Sequence, residues 1–283
     1  MLNEVERKFL GRGRFAPSPT GVLHLGNLRT AVASHQLAMR FGDDGFVIRM
    51  EDLDRANSSR GIARQQIDDL ALVGVNSVQP PIFQSDRFSI YDKYLSKLSD
   101  DGLVYECFCT RKEVRDAVAA PHDQFLLYPG TCRDLDTKAR DLKRRERPPA
   151  LRLRVDDVTR AVGVVDDIVL RRNDGVPAYN LAVVVDDALQ GITQVVRGID
   201  LEPVTPSQVY LQQLLGLPTP DYVHVGLVVG PDGERLAKRH GSVTLADWLA
   251  AGRSASSLRE ALLRTLADRP IQAECPVSDI WGE

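Results

Sequence analysis

A chain of 283 residues, 43% hydrophobic and 27% charged, carries enough apolar material to bury a sizeable core, and its length allows two lobes. Its 36 Lys and Arg against 39 Asp and Glu leave a net charge of −3, which excludes a generally basic nucleic-acid binder and confines any polyanion contact to a local patch. With no apolar run of membrane-spanning length and no legible targeting peptide, a soluble cytoplasmic protein without a membrane partner is expected.

In chain order, the first predicted element is a short strand at Arg14, Phe15 and Ala16, ended by Pro17 and Pro19, which supply no ladder N–H and force a loop. From Leu25 the apolar residues Leu25, Leu28, Val32 and Met39 recur at roughly helical spacing, which puts His24 and Gly26 at a helix start. Such a start is an anion site. Free backbone N–H groups and the positive end of the dipole favour phosphate, Gly26 lets a ligand approach the backbone, and His24 adds a donor to developing phosphate charge. Phe46 to Met50 reads as an apolar strand leading to the acids Glu51, Asp52 and Asp54, and Ser59 to Leu72 as a helix. Residues 12–104 thus form the first half of an α/β domain.

The alternation breaks at residues 105–172, an insertion expected over the carboxyl edge of a parallel sheet. It holds two strand-like runs, Ala150 to Val155 and Ile168 to Arg171, and a basic stretch of Lys138, Arg140, Lys143, Arg144, Arg145, Arg147, Arg152 and Arg154. Two readings of that stretch stand side by side: a salt-sensitive phosphate patch, or a solvated helix face laced with Asp134, Asp136, Asp141 and Glu146. Residues 173–250 resume the α/β pattern, with His224 to Val229 as one short apolar strand feeding the turn Gly230-Pro231-Asp232-Gly233 and a basic loop. In residues 251–283, Leu258, Leu262, Leu263 and Leu266 have helical spacing.

His24-Leu25-Gly26-Asn27 and, much later, Arg235-Leu236-Ala237-Lys238-Arg239 resemble the HIGH and KMSKS signatures of class I aminoacyl-tRNA synthetases. Asn27 stands where the first signature has its second histidine, and Ala237 where the second has serine. The stretches R-F-A-P-S-P-T-G, F-V-I-R-M-E-D-L-D and Y-N-L-A-V-V-V-D-D-A-L-Q-G-I-T-Q-V-V-R-G-I-D are similar to the glutamyl group of that class. The resemblance implies a Rossmann-like nucleotide-binding domain with a parallel sheet, an inserted zinc-bearing subdomain of the acceptor type and a short helical C-terminal remnant. It implies an ATP site at His24, Gly26, Asn27 and Lys238, with His24 and Lys238 catalytic. L-Glutamate is implied at Arg14, Phe15, Ala16, Pro17, Ser18, Glu51, Tyr179 and Arg197. Chemically, Arg14, Ser18 and Arg197 suit carboxylates, while Glu51 and Tyr179 suit the amino end; which arginine takes which carboxylate is left open.

Full-length glutamyl enzymes carry a further helical portion that reads the anticodon. After the Lys238 loop this chain has only Gly241 to Glu283, room for one or two helices and no independent domain, so no anticodon-binding domain is expected. Such a shortened chain resembles the glutamyl-Q tRNA(Asp) synthetases, which implies glutamate transfer to queuosine in the anticodon of tRNA(Asp), with Mg2+ accompanying ATP and a monomeric state. Val183, where full-length enzymes commonly have Asn, agrees. Cys107, Cys109, Tyr128 and Cys132 resemble that family's structural zinc site, and three thiolates with a fourth ligand suit tetrahedral Zn2+. His122, Asp123 and water are rivals to Tyr128; a disulfide is disfavoured for adjacent-but-one cysteines in a reducing compartment, and Cys275 is a spare thiol. Two alternatives stay open: a shortened synthetase that charges a tRNA 3′ end, and a catalytically silent zinc- and tRNA-binding paralogue.

Overall fold

A computed structural model describes residues 11–42, 45–77, 79–118, 127–233 and 243–282. They divide into two compact units, one from residues 1–85, 191–202 and 220–283, the other from 86–190 and 203–219. The first unit begins with β1 (Gly13–Phe15), α1 (Leu25–Ala38), β2 (Phe46–Met50), α2 (Arg60–Leu72) and β3 (Ile82–Phe83). The chain then runs through the second unit as α3 (Phe88–Asp100), β4 (Val104–Cys107), α4 (Arg111–Val118), α5 (Thr137–Glu146), β5 (Ala150–Leu153), α6 (Asp157–Ala161), β6 (Val169–Arg171) and α7 (Tyr179–Leu189). It returns for β7 (Gln194–Gly198), gives α8 (Thr205–Leu215) to the second unit, and closes the first with β8 (Asp221–Val225), β9 (Val228–Val229), α9 (Leu245–Ala250), α10 (Ala255–Ala267), β10 (Cys275–Pro276) and α11 (Val277–Trp281).

The main sheet has the order β3-β2-β1-β7-β8, and every pair is parallel. From β1 the chain adds strands on one side, then returns to add β7 and β8 on the other, so the direction of winding switches between β1 and β7. Open α/β sheets bind ligands outside the carboxyl ends of the strands at such a switch. All five residues of β2 are buried, as expected for a strand covered on both faces, which is why it reads as an apolar run. The helix predicted from Leu25 is α1, and Leu25, Leu28, Ala31 and Val32 are fully buried in a core shared with Phe46, Met50, Leu70, Leu258 and Leu262. Ser59 caps α2 by accepting the Ile62 N–H at 3.1 Å.

Three expectations are corrected, two in the first unit and one, the end of β5, in the second. His224 to Val229 is not one strand, because β8 ends at Val225 and β9 pairs in parallel with β10 in a separate two-stranded sheet. Gly226 is the cause. A Cβ there would lie 2.0 Å from the carbonyl oxygen of Ala273, and its N–H donates to Ile271 at 2.8 Å while its carbonyl accepts from Arg29 at 3.0 Å. Its ladder groups are therefore turned toward the tail. The tail also forms three helices, α9 to α11, where one or two were expected from Gly241 onward. They persist because the tail packs into the main core through Leu245, Trp248, Leu258, Leu262 and Ile280 rather than standing alone.

The second unit contains an antiparallel sheet, β4-β5-β6, with Tyr105 opposite Arg152 and Cys107 opposite Ala150. Its β5 stops at Leu153, short of the expected Val155, because the Val155 N–H donates to the fully buried Asp167 carboxylate at 2.9 Å instead of to a ladder carbonyl. Among the described residues no helix is long and apolar enough to cross a membrane.

Replacing Gly226 by Ala forces a methyl group against the Ala273 carbonyl and should cost about 2–3 kcal/mol, a Tm loss of roughly 5–10 °C by calorimetry. An unchanged Tm would contradict the close approach of the tail.

Candidate active site and metal site

His24 is the N-cap of α1, and its ring does the capping. Nδ1 accepts the N–H groups of Gly26 at 3.1 Å and Asn27 at 3.4 Å, while the Asn27 Oδ1 accepts the His24 N–H at 3.2 Å. Leu25 N–H donates to Val243 at 3.0 Å. The helix-start N–H groups expected to be free for phosphate are thus taken, at Leu25 by a neighbouring backbone and at Gly26 and Asn27 by the ring itself. With Nδ1 an acceptor, a neutral imidazole carries its proton on Nε2, so the donor expected of His24 sits there. Gly26 is needed because a Cβ would lie 2.9 Å from the His24 Cε1.

An isolated antiparallel bridge joins His24 to Thr244. The chain that emerges from residues 234–242 is therefore paired against His24. Lys238, with Arg235, Leu236, Ala237 and Arg239, lies outside the described residues.

Arg14 on β1 is buried, donates to the Val196 carbonyl at 3.2 Å, and its own carbonyl accepts from Ser34 at 2.9 Å. Phe15 points into the core, so Phe15, Ala16 and Pro17 present backbone at the strand's end, with the Pro17 carbonyl accepting the Glu51 N–H at 3.0 Å. Ser18 is exposed. Glu51 pairs at 3.5 Å with Arg49, which is fully buried on β2. On β7, Arg197 donates to the His224 Nε2 at 3.4 Å and to the Leu201 carbonyl at 3.2 Å, with its guanidinium 4.8 Å from the Tyr222 ring centroid. Arg14, Ser18, His24, Glu51 and Arg197 belong to the first unit, whereas Tyr179, half-buried, begins α7 in the second.

Sequence reasoning missed His224, Arg49 and Gln66. His224 was read as one residue of an apolar run, and only strand pairing, which sets Arg197 opposite it, reveals the contact. Burial first and Arg197 second hold His224 below its ordinary value, so it stays neutral and can accept from the guanidinium.

In the second unit the Sγ atoms of Cys107, Cys109 and Cys132 all lie within 4.8 Å of one another. The Tyr128 hydroxyl is 3.3 Å from the Cys107 Sγ and 3.4 Å from the Cys109 Sγ, and the Cys109 and Cys132 sulfurs are 3.6 Å apart. A tetrahedral zinc with bonds of about 2.3 Å to sulfur needs neighbouring donors about 3.5–3.8 Å apart. The separations of 3.3, 3.4 and 3.6 Å, with all three sulfurs within 4.8 Å, lie close to that spacing and the donors have that chemistry, so the set fits the ion. Burial pushes the Cys109 thiol up to about 11 and raises the Tyr128 phenol, while Cys132, despite burial, is brought down by the Phe108 N–H and its other neighbours. A cation would reverse the first two shifts. The Arg152 guanidinium lies 3.8 Å from the Tyr128 ring centroid. His122 and Asp123 fall outside the described residues, and Cys275 is buried in the first unit.

The basic stretch separates into two groups. Arg144 pairs with Glu106 at 2.8 Å and Asp141 at 2.9 Å, Arg147 with Glu113 at 3.5 Å, and Arg154 with Asp134 at 3.2 Å. Lys138, Lys143 and Arg145 form no ion pair among the described residues, so part of the stretch is a laced helix face and part is uncompensated charge.

Residues 12–275 match the family described as tRNA synthetases class I (E and Q), catalytic domain. A glutamyl-Q tRNA(Asp) synthetase of Nocardia farcinica is 50% identical over 270 residues, 92% of this chain and 86% of its own. A protein of the same name from Symbiobacterium thermophilum is 42% identical over 284 residues, 91% of this chain and 88% of its own. Among solved structures, the glutamate-tRNA synthetase of Elizabethkingia anophelis superposes with a TM-score of 0.72 at 26% identity, covering 89% of this chain; the chain spans 61% of that protein's length.

Because His224 is held below its ordinary value of 6.5, the unfolded chain takes up the proton first on acidification. The contribution to stability is complete above that value and is lost as the pH falls below it. Thermal melts from pH 7.5 to 5 should therefore show a shallower acid limb for His224→Gln than for wild type; identical limbs would contradict the assignment.

Proposed function

The chain belongs to the class I tRNA synthetases (E and Q), and on that basis we propose that it is a ligase that activates L-glutamate with Mg-ATP and transfers it to queuosine in the anticodon of tRNA(Asp). The observation that carries the activation step is the pairing of Thr244 with His24, which brings the chain leaving residues 234–242 against the start of α1. In the first step an oxygen of the glutamate α-carboxylate attacks the α-phosphorus of ATP and pyrophosphate departs with its electron pair, leaving glutamyl-adenylate. The His24 Nε2–H and the Lys238 ammonium stabilise charge that grows on the phosphate oxygens, and the Gly26 and Asn27 N–H groups on Nδ1 fix the imidazole and keep its proton on Nε2.

For the glutamate itself, Arg14 and Arg197 meet carboxylates, Glu51 meets the ammonium, and the backbone from Phe15 to Ser18 borders the site, while Tyr179 is assigned to the ammonium on the family likeness alone. Neutral His224 and the Leu201 carbonyl aim the Arg197 fork. In the second step an acceptor hydroxyl attacks the acyl carbon, its proton is lost and AMP leaves; no covalent bond to the protein forms. The acceptor is taken from the names of the relatives, which this chain covers to 86% and 88% of their length. A tRNA 3′ end is the second reading, favoured by the likeness to a glutamate-tRNA synthetase. The unpaired Lys138, Lys143 and Arg145 supply phosphate contacts for either tRNA.

We further propose one structural zinc ion held by Cys107, Cys109, Cys132 and Tyr128. When bound it cross-links β4 to the segment 128–132 and takes no part in either chemical step. Elemental analysis should find about one zinc per chain, and Cys132→Ser should lose the metal and lower the Tm by roughly 5–10 °C. A metal-free wild type with unchanged melting would remove this assignment.

With ATP, labelled glutamate and tRNA(Asp), acid-precipitable label is expected only on tRNA that carries queuosine, and Lys238→Ala should abolish both this label and glutamate-dependent pyrophosphate exchange at unchanged Tm. Label on queuosine-free tRNA(Glu) instead would establish the second reading, and exchange that survives Lys238→Ala would remove the lysine from the mechanism.

A further inference from the structure

The loop after β1 holds two prolines and so cannot satisfy its own carbonyls with a regular ladder. Donors outside the loop meet most of them, and the Thr20 N–H within it reaches the Ser18 carbonyl at 2.9 Å. The Pro17 carbonyl takes the Glu51 N–H at 3.0 Å, the Pro19 carbonyl takes the Ser59 N–H at 3.1 Å, and those of Ser18 and Gly21 both take the side-chain amide of Gln66, at 3.1 and 2.7 Å. Gln66 lies on α2 and is 1% exposed. Its Nε2 spends both hydrogens on the loop. Its Oε1 is buried and has no hydrogen-bond partner among the described residues. Exchanging the two ends of the amide would aim an oxygen at two carbonyl oxygens, so its orientation follows from chemistry. A buried acceptor left unmet is unfavourable, and an apolar residue would avoid it at this position. What the glutamine supplies in return is the double donor.

The peptide bonds here are trans, so pinning a carbonyl aims the following N–H the opposite way. The contact to Gly21 thereby directs the Val22 N–H away from the Gln66 amide, and the Glu51 contact to Pro17 separately turns the Ser18 N–H away from Glu51; the clamped Ser18 carbonyl precedes Pro19, which has no N–H to aim. Neither N–H has a protein partner among the described residues. We propose that Gln66 is a positioning residue for substrate selection: by clamping the Ser18 and Gly21 carbonyls it fixes the shape of the loop from Ser18 to Gly21, whose first residue belongs to the glutamate site proposed above. The inference rests on the glutamate site proposed above and adds the residue that sets its shape. Gln66 itself touches no substrate.

ATP–pyrophosphate exchange with the full chain tests it. Wild type must first show glutamate-dependent exchange; its absence sinks the glutamate site as a whole and is distinct from failure of the clamp. Gln66→Met keeps length and removes both donors, and Gln66→Glu keeps an acceptor and places it against the two carbonyls. For each, the KM for glutamate should rise by about tenfold or more, while the KM for ATP stays within about twofold. Hydrogen exchange in peptides spanning residues 14–25 should quicken while that in α1 stays as in wild type. Unchanged KM for glutamate in both variants overturns the proposal. So does an equal loss toward both substrates, or failure of both variants to fold by circular dichroism, since either result makes Gln66 a core residue without a selective role.

Discussion

With the His24 Nδ1 accepting two N–H groups of the helix it starts, the imidazole is committed as a cap, and its proton is left on the far side of the ring. The site depends on that commitment. A cap of this kind is worth about 1 kcal/mol to a helix and would be an ordinary local feature elsewhere. Here α1 cannot rotate about its axis, because Leu25, Leu28, Ala31 and Val32 are fully buried against the sheet and tail. Burying four such side chains is worth several kcal/mol, so packing outweighs capping in placing the helix, and capping then orients one ring on it. The usual anion-binding role of a helix start is thereby altered, since backbone donors that would face a phosphate face the histidine instead.

Arg29, one turn further along α1, ties this helix to the rest of the unit. It is fully buried and donates to the Thr265 hydroxyl and carbonyl and to the Gly226 carbonyl. Burial, above all, lowers its pKa, with the neighbouring Cys275 acting the other way. A buried guanidinium is tolerable only when its donors are met, and here they are met by α10 and by the link between β8 and β9. The tail is thus held to the helix that carries His24, and through β10 to β9, the strand from which the lysine loop departs. The neighbouring Gly226 has to be a glycine for the same reason, because the tail backbone occupies the space of a side chain.

In the second unit the equivalent anchor is Asp167. Its carboxylate accepts from Tyr105 at 2.8 Å, from Arg133 at 2.9 and 2.8 Å and from the Val155 N–H at 2.9 Å, with no exposure to solvent. Arg133 follows Cys132 directly and Tyr105 lies two residues before Cys107, so the cysteine-bearing segments converge on one buried charge as well as on one another. Losing such a partner costs about 3–5 kcal/mol, whereas the exposed pairs of Arg144, Arg147 and Arg154 are screened by solvent and add little. Those surface pairs matter for a different reason, since they neutralise part of the basic stretch and leave Lys138, Arg140, Lys143 and Arg145 without an ion pair among the described residues.

What the amino-acid sequence determined by itself was local. Prolines end β1, the spacing from Leu25 starts α1 at His24, Ser59 caps α2, an unbroken apolar run marks a strand covered on both faces, and cysteines near one another group as ligands; each rests on residues a few positions apart. The signatures carried the family for the same reason, being short contiguous stretches. Tertiary structure alone decided where distant hydrogen bonds go: that helix-start donors turn onto His24, that Gly226 divides an apolar run to admit Ala273, that Arg197 meets His224 across a strand pair, and that Gln66 serves a loop 45 to 48 residues before it. Periodicity reports which face of an element is buried. It carries no record of which polar atom on another element a buried donor must find, and that pairing exists only once the chain has closed upon itself.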